Sequence, residues 1–470
     1  MSALADRIAA EYAATAPALP PAQAARRRQA LQTLLARGLP GVRDENWRYA
    51  NLRALEKARF APLPGGTVEP QSLPAPIAGW VRHVFVDGVY APELSGAEAG
   101  PGFTLRTGAA ARDDLPRSAA ADVTTPATAA TAAPATASPV TAASATTASA
   151  TAAAAATART AAGRQGAPAP AHRDDSFALL NEAFAADAAL LEVTGVDVQV
   201  ELVFVAQAEA AQGSSYPRLQ VRLAPNTRAR LIERHVAAAE AASCVDSAVS
   251  VDLGEAAQLT HLRLQQCSPR ALWLDTLAAR VGRDAAYRLH LLTLGAQSSR
   301  STGAVRLAGP GARLDVDAVA LAGGSAVHDQ VLQVEHLAPH TRTAENFRGI
   351  ASGRARIAFN GKVVVHEAAA NADSAQSLRG LLAGEEAEID LRPQLEINTD
   401  EVRASHGATA GKLDDTMLFY LLARGLDREE ARRLLEWAFI ADLVAKIDVP
   451  ELRRDIERSL ARRMHAPLEA

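Results

Sequence analysis

The sequence predicts a mainly β protein with a β-solenoid core and α-helical regions at both ends. Three observations predict this architecture. A short motif recurs about every 28 residues between residues 226 and 389, the segments between its copies alternate apolar and polar side chains, and the periodicity becomes helical near both ends of the chain. Alternation with a period of two is typical of strands that bury one face.

The recurring motif is a small turn residue, an alanine three positions later and a large apolar residue two positions after that. Its copies are Asn226/Ala229/Leu231, Gly254/Ala257/Leu259, Gly282/Ala285/Tyr287, Gly309/Ala312/Leu314, Ser352/Ala355/Ile357 and Gly384/Ala387/Ile389. The first four copies follow one another at a nearly constant spacing, and the spacing of the last two is wider. A repeat of this length favours stacked coils with small residues at the corners. An antiparallel sandwich with regularly recurring hairpins is the alternative.

Composition divides the chain into four regions. An N-terminal helical or mixed region covers residues 1–110 and contains a strand or hairpin around Asp87-Gly88. Residues 111–172 are almost entirely Ala, Thr, Pro and Ser, and we expect a disordered insertion there, because these side chains bury too little surface to offset the cost of ordering the chain. The β core spans 173–411 and a C-terminal helical domain spans 412–470.

The C-terminal region contains a helix start signal and an apolar stripe. Asp427 and Glu430 have the spacing of a capping box. The apolar residues that follow on one helix face are Leu434, Leu435, Ala438, Phe439, Leu443 and Ile447. Such a stripe is usually core, and a docking face for a partner is the alternative.

Charge and cysteine content exclude several classes of protein. The 470 residues carry a formal net charge of −4 with mixed signs, so nothing attracts nucleic acid or anionic membranes in general. The two cysteines, Cys244 and Cys267, predict a reducing compartment and cannot supply the four thiolates of a typical iron–sulfur site. The first residues do not resemble a signal peptide, and we find no charge-free segment apolar enough to span a bilayer. We therefore expect a cytoplasmic protein.

Histidines are the candidate metal ligands. Five of the eleven fall in the last part of the predicted core: His328, His336, His340, His366 and His406. No pair has the spacing of a helical zinc motif, but residues one coil apart in a solenoid come close together.

No self-contained active site is evident. The glycine-rich segments lack the Lys-Ser/Thr of a phosphate-binding loop, and we find no nucleophile elbow. Asp315/Asp317 and Glu386/Glu388 each share a strand face, as in β-solenoid enzymes that act on polysaccharides. Those enzymes also carry a secretion signal and an aromatic groove, which this sequence lacks. We therefore expect no enzymatic activity of its own, and any nucleotide hydrolysis must come from a partner.

Short motifs spread along the chain resemble the SufB/SufD family of iron–sulfur cluster assembly proteins. They are residues 45–49 (Glu-Asn-Trp-Arg-Tyr), 177–184 (Phe-Ala-Leu-Leu-Asn-Glu-Ala-Phe), 359–365 (Phe-Asn-Gly-Lys-Val-Val-Val), 376–377 (Gln-Ser), 381–382 (Leu-Leu), 392–397 (Arg-Pro-Gln-Leu-Glu-Ile), 404–409 (Ala-Ser-His-Gly-Ala-Thr), 411–414 (Gly-Lys-Leu-Asp), 418–421 (Leu-Phe-Tyr-Leu) and 424–426 (Arg-Gly-Leu). Ser405-His406-Gly407 resembles the SufD branch, because SufB has Glu-His-Glu at this place.

The resemblance implies a right-handed parallel β-helix that pairs with SufB. It also implies that the C-terminal helices bind SufC, an ABC-type ATPase, through residues such as Phe419, Leu434, Leu435, Phe439 and Leu443. ATP hydrolysis by SufC would then rearrange the SufB–SufD interface, where a nascent cluster forms.

The resemblance assigns His406, with Ser405 and Gly407 beside it, to the interface with SufB. His406 would there contribute an imidazole to a transient iron–sulfur cluster, or to iron, shared with SufB. In one respect the sequence departs from the family pattern: Ala404 stands where many relatives have a cysteine. Flavin has been associated with the assembled family complex, but no residue pattern here supports it.

Two other functions stay open at this point. One is a β-helix carbohydrate-active enzyme, which would need a carboxylate cluster that acts on polysaccharide. The other is a stand-alone metal-binding protein that uses the C-terminal histidines.

Overall fold

The computed structural model describes residues 2–16, 23–41, 44–50, 52–108, 111 and 175–465. Apart from Ala111, the predicted insertion at 111–172 lies outside the described residues. The strands are β1 Val81–Val86, β2 Val89–Tyr90, β3 Ala99–Gly100, β4 Phe103–Thr107, β5 Ala189–Val193, β6 Val198–Ala206, β7 Arg218–Leu223, β8 Arg228–Ala237, β9 Cys244–Leu253, β10 Gln258–Gln266, β11 Leu272–Val281, β12 Ala286–Thr293, β13 Ser298–Leu307, β14 Arg313–Ala322, β15 Val327–His336, β16 Arg342–Ala351, β17 Arg356–Val365, β18 Ala372–Leu382, β19 Glu388–Ile397 and β20 Val402–Lys412.

The helices lie before and after most of these strands. The α-helices are α1 Ser2–Thr15, α2 Ala24–Arg37, α3 Ser176–Phe184, α4 Asp415–Ala423, α5 Arg428–Val444 and α6 Pro450–His465. Short 3₁₀ turns cover Glu45–Trp47, Leu52–Glu56, Pro70–Ser72 and Pro92–Leu94. Among the described residues, no helix is long and apolar enough to cross a membrane.

The strands form two ten-stranded sheets that run along a solenoid. One, the even sheet, has the order β2-β1-β6-β8-β10-β12-β14-β16-β18-β20; the other, the odd sheet, has the order β19-β17-β15-β13-β11-β9-β7-β5-β4-β3. From β5 onward neighbours in each sheet are parallel, so each coil adds one strand to each sheet. This confirms the predicted parallel β-solenoid and excludes the antiparallel sandwich.

The register gives the length of each coil. In the even sheet Arg228 pairs with Gln258, Gln258 with Ala286, Ala286 with Arg313, and Arg313 with Arg342. Each coil therefore takes up roughly 28 residues, which agrees with the spacing of the motif in the sequence.

Residues with positive φ form the corner before each even strand from β8 to β18. They include Asn226 (φ 61°), Ala256 (56°), Asp284 (52°), Gly311 (72°) and His340 (59°). A left-handed residue turns the chain sharply, and Gly, Asn and Asp tolerate this conformation best. The buried position just after it is always small, occupied by Thr227, Ala257, Ala285, Ala312, Thr341 and Ala372.

Alternate side chains of each strand fill the lumen, and helices cover the outer faces. The lumen core runs from Phe85 to Leu378 and includes stacked rings such as Phe347 and Phe359, with centroids 4.3 Å apart. Helices α1 to α3 pack on the odd sheet, and α5 and α6 pack on the even sheet. Helices therefore shield residues on the outer face of each sheet.

The N-terminal region contributes to the solenoid itself. Strand β1 pairs in parallel with β6, and β4 pairs with β5, so strands from the predicted region 1–110 extend both sheets. The Asp87-Gly88 turn joins β1 and β2 with positive φ at both residues, which confirms the predicted hairpin. Antiparallel β2 and β3 close this end of the two sheets.

Candidate functional site

The candidate site is the open end of the solenoid formed by β19 and β20. Within the described part of the chain each of these strands has a sheet neighbour on one side only, β17 for β19 and β18 for β20. Ten of the eleven residues of β20 are exposed. An uncovered strand edge presents unpaired backbone N–H and C=O groups, which makes it a template for another chain.

His406 lies in the middle of this exposed edge strand. It pairs with Gln376 of β18, whose side chain is buried in the lumen, so His406 is on the strand face that continues the lumen. Ser405 and Gly407 alternate with it and lie on the outer face, both exposed. Ala404 shares the inward face of His406, so a cysteine at this position would lie on the same face as the imidazole.

Two buried polar side chains continue the line of His406 into the lumen. Glu345, Gln376 and His406 are consecutive register partners on β16, β18 and β20. Gln376 Nε2 donates to Glu345 Oε2 at 2.8 Å and to the carbonyl oxygen of Gly361 at 3.0 Å. Burial raises the pKa of Glu345 to about 7, against the smaller opposing effect of the hydrogen bond from Gln376.

Residues 45–49, which form the first family motif, pack on the outside of the same end of the solenoid. Asn360 of β17 donates to Asn46 at 3.1 Å, and Glu45 forms an ion pair with Arg392 of β19. The guanidinium of Arg356 also stacks over the ring of Tyr49 at 4.5 Å. Motifs from the N-terminal and C-terminal parts of the sequence thus meet on the terminal coil.

The C-terminal helices carry an exposed apolar surface. Met417, Phe419 and Tyr420 of α4 are 58%, 71% and 56% exposed, and Leu434 of α5 is 47% exposed. Leu435 and Phe439, which were predicted to dock a partner, are half-buried. Exposed aromatic residues concentrated on one short helix indicate a binding surface.

Leu443 corrects the predicted docking set. It is only 3% exposed and packs in the core between α5, α6 and the even sheet, together with Ile440, Val444 and Ile447. The apolar stripe therefore has two sides, because Leu434 near the start of α5 is exposed while the residues near its end cover the solenoid. The capping box of Asp427 and Glu430 is confirmed, with both reciprocal hydrogen bonds present.

The other histidines do not gather around His406. His328 and His336 are buried and bonded to a backbone carbonyl and to threonine hydroxyls, respectively, and burial lowers the pKa of each to about 4, so both are neutral. His340 forms a corner with positive φ, and His366 follows β17. In the described ranges no three His, Cys, Asp or Glu side chains come together as a metal-binding group.

The two thiols are also unsuited to binding a cluster at this end. Cys244 and Cys267 are free and buried, and burial raises the pKa of each to about 12. Both lie in or next to strands β9 and β10, several coils away from β20. A thiol that stays protonated is a poor metal ligand.

Of the carboxylates that share a strand face in the sequence, Asp317 of β14 has a structural role. Asp317 is buried, accepts from Lys446 Nζ at 2.6 Å and from Asn346 Nδ2 at 3.0 Å, and so ties the end of α5 to the even sheet. Glu386 and Glu388 are exposed and precede or begin β19.

A buried ionic network in the middle of the lumen escaped the sequence analysis. Arg263 donates to Glu233 at 2.7 and 2.9 Å and to Asp275 at 2.9 Å, and ring nitrogens of His235 and His261 contact the same glutamate at 2.6 and 3.0 Å. Burial alone would raise the pKa of Glu233, but the guanidinium and these hydrogen bonds outweigh it and hold the pKa well below its usual range. Arg263 donates to both carboxylate oxygens of Glu233, and the network forms part of the core.

Glu345 and Gln376 also escaped prediction as site residues. The sequence feature that could have identified them is a polar residue at an inward position of an alternating strand. In Thr343-Ala344-Glu345-Asn346-Phe347, for example, Thr343 and Phe347 are buried on either side of Glu345. That signal requires the strand register, because only the pairing of β16, β18 and β20 places the two side chains beneath His406.

Comparison with known proteins agrees with these features. The profile of the family described as "SUF system FeS cluster assembly, SufBD core domain" matches residues 204–439. The iron–sulfur cluster assembly protein SufD of Escherichia coli is 26% identical over 443 residues, which cover 93% of this chain and 92% of that protein. A SufBD family protein of Synechocystis is 26% identical over a match that covers 88% of this chain and 85% of that protein. A SufBD family protein of Mycobacterium leprae is 30% identical over a match that covers 51% of this chain and 62% of that protein.

Proposed function

Because the chain belongs to the SufB/SufD family of iron–sulfur cluster assembly proteins, we propose that it is a non-enzymatic scaffold subunit that pairs with SufB and binds the SufC ATPase. It is a SufD homologue, and iron–sulfur cluster assembly is the function of the family. We also propose that it acts in the cytoplasm. The observation that carries it is the uncovered strand β20, with His406 at its centre.

The open end suits pairing with a second solenoid through β20. Strand β19 contains Pro393, which lacks a backbone N–H and is tolerated in strands mainly at edges. Strand β20 contains no proline, so it keeps its full set of donors over Val402–Lys412. A partner strand is therefore expected to add to the even sheet through β20, which is the β-augmentation mode of recognition.

His406 is the side chain on this edge suited to iron. Imidazole is a good ligand for iron, and a single one leaves other coordination positions free. The cluster is cargo, and this chain supplies no thiolate for it at this end, because Ala404 has none and both cysteines are buried elsewhere. The remaining ligands would come from SufB, which gives each partner part of one site.

The exposed surface of α4 and the start of α5 is proposed to bind SufC. Met417, Phe419, Tyr420 and Leu434 provide apolar area outside the core, with Leu435 and Phe439 at its border. Because α5 is anchored on the even sheet through Leu443 and its neighbours, a movement of SufC would be transmitted to the solenoid. ATP hydrolysis in the partner could in this way alter the interface at β20.

The test of the interface is co-expression of the full chain with SufB and SufC, followed by purification through a tag on this chain. We expect all three proteins to copurify and to assemble a cluster that is detectable by absorbance. His406→Ala should leave copurification intact and lower cluster loading at least tenfold. Thr409→Ala on the outward face of the same strand is the matched control, and equal loading in both variants would contradict the role of His406.

The docking surface has its own test in the same system. Phe419→Asp should abolish copurification of SufC while SufB is retained, because a charge would replace the most exposed aromatic residue of the surface. Val196→Asp, which changes an equally exposed apolar residue before β6, is the control. Retention of SufC by the Phe419 variant would refute this assignment.

A further inference from the structure

A line of three side chains leads from the lumen to the open end of the solenoid. Glu345, Gln376 and His406 occupy the same register position on three successive even strands, and the strands of a sheet are about 4.8 Å apart. Glu345 is 1% exposed and Gln376 is 4% exposed, whereas His406 is exposed. Gln376 is thus the side chain in line between the buried carboxyl and the imidazole.

The amide of Gln376 is fixed by the bonds it makes. Its two N–H groups have two acceptors, Glu345 Oε2 at 2.8 Å and the carbonyl of Gly361 at 3.0 Å. Because a backbone carbonyl only accepts, the nitrogen must face Gly361 and the oxygen must face away from it. Gln376 Oε1 is buried and has no hydrogen-bond partner in the described structure.

Gly361 makes this arrangement possible. A Cβ atom at residue 361 would lie 2.7 Å from Glu345 Oε1 and 2.8 Å from Gln376 Nε2, closer than non-bonded atoms approach. The absence of a side chain at this position of the opposite sheet therefore leaves room for both polar groups in the lumen. A buried oxygen without a donor costs free energy, so the site is incomplete as it stands.

We propose that Gln376 is a positioning residue for His406, accepting a hydrogen bond from its ring N–H, and that Glu345 locks the amide of Gln376 for this purpose. A ligating histidine typically donates its second ring nitrogen to a carboxylate, carbonyl or water, which fixes its tautomer and orientation. The register makes His406 the neighbour that could supply the missing donor to Oε1. The other ring nitrogen would then present its lone pair outward, to the cluster.

This inference rests on the proposed ligand role of His406, and its test is independent of cluster loading. The full chain, labelled with ¹⁵N-histidine, is studied by NMR at about pH 9, where an ordinary imidazole is neutral. The His406 signals are identified by their loss in His406→Ala. The ¹⁵N shifts of the two ring nitrogens then give the tautomer ratio, which we expect to favour one nitrogen about fivefold more in the wild type than in Gln376→Met.

The control keeps an oxygen acceptor in the same line. Ser377→Ala, which removes an outward-facing side chain next to Gln376 on β18, leaves that acceptor in place, and we expect the wild-type tautomer ratio. The same ratio in Gln376→Met and the wild type would overturn the positioning role, as would a wild type with no bias towards either tautomer. If His406→Ala has no effect on cluster loading in the complex, the proposed ligand role fails instead, so the two failures are distinguishable.

Discussion

The buried carboxyl of Glu345 makes stability depend on pH. Its pKa is about 7 in the folded protein and about 4.5 in an unfolded chain, because burial disfavours the charged form. Between these values the folded state binds one proton more than the unfolded state, so its contribution to stability is complete below about pH 4.5 and is lost as the pH rises through 7. A shift of this size corresponds to about 3 kcal/mol.

The variant Glu345→Gln isolates this contribution. Glutamine keeps the size of the side chain and its hydrogen-bonding atoms but does not ionise. We expect the unfolding free energy of the wild type, relative to the variant, to fall by about 3 kcal/mol between pH 4.5 and 8.5. Urea denaturation at several pH values, followed by the fluorescence of the four tryptophans, measures the difference.

Taking the difference between two proteins cancels the titration of every group that they share. Glu386→Gln, at an exposed position before β19, is the matched control and should give a difference that does not vary with pH. If the difference between wild type and Glu345→Gln were equally flat, the carboxyl would be hydrated or paired in solution. The argument that Glu345 anchors a dry polar line beneath His406 would then be wrong.

Three further changes test the packing beside Glu345, the cap of α5 and the ionic network in the lumen. Gly361→Ala should lower the unfolding free energy by about 1–3 kcal/mol because its Cβ meets buried polar atoms, whereas Gly407→Ala, with nothing within 4 Å, should leave denaturation nearly unchanged; equal effects would contradict the close approach. Asp427→Ala removes the cap of α5 and should cost about 1 kcal/mol in thermal unfolding, and a neutral result would mean that the helix start is frayed. Arg263→Met leaves the buried charge of Glu233 without its cation and should cost about 3–5 kcal/mol in urea unfolding, and a stable variant would show that water enters the lumen.

The repeat in the sequence predicted the solenoid but not its full register. The copies at Ala257, Ala285 and Ala312 mark one corner, before even strands, whereas Ala355 and Ala387 mark the other corner, before odd strands. The wide gap between the copies at Ala312 and Ala355 therefore spans about one and a half coils. The missing corner positions, such as Thr341, were not found because threonine replaces alanine there and Ala338 replaces the turn glycine three positions earlier.

An error in the first copy was harmless for a physical reason. The motif aligned Ala229 with Ala257, but the structure pairs Ala229 with Leu259, a shift of two positions. Because side chains alternate with a period of two, such a shift keeps each residue on its correct face. Burial could therefore be predicted there, whereas contacts between coils could not.

The sequence predicted only part of the site, for a related reason. His406 and Phe419 were found through the resemblance to the family, but neither periodicity nor motif separates Leu434 from Leu443. Both are leucines of one helix, and what distinguishes them is that Leu443 packs in the core against the even sheet while Leu434 is exposed. That contact joins residues that are far apart in the sequence, which no local pattern encodes.

Two polar side chains of the lumen lie in line with the open end of the solenoid. Glu233 is compensated on every side, as an interior far from any partner requires. Nearer to β20, Glu345 and Gln376 each retain one oxygen without a donor, which a self-sufficient core would avoid. Unsatisfied groups are tolerable where another molecule completes them, and the one register position that continues their line is His406 on the uncovered strand.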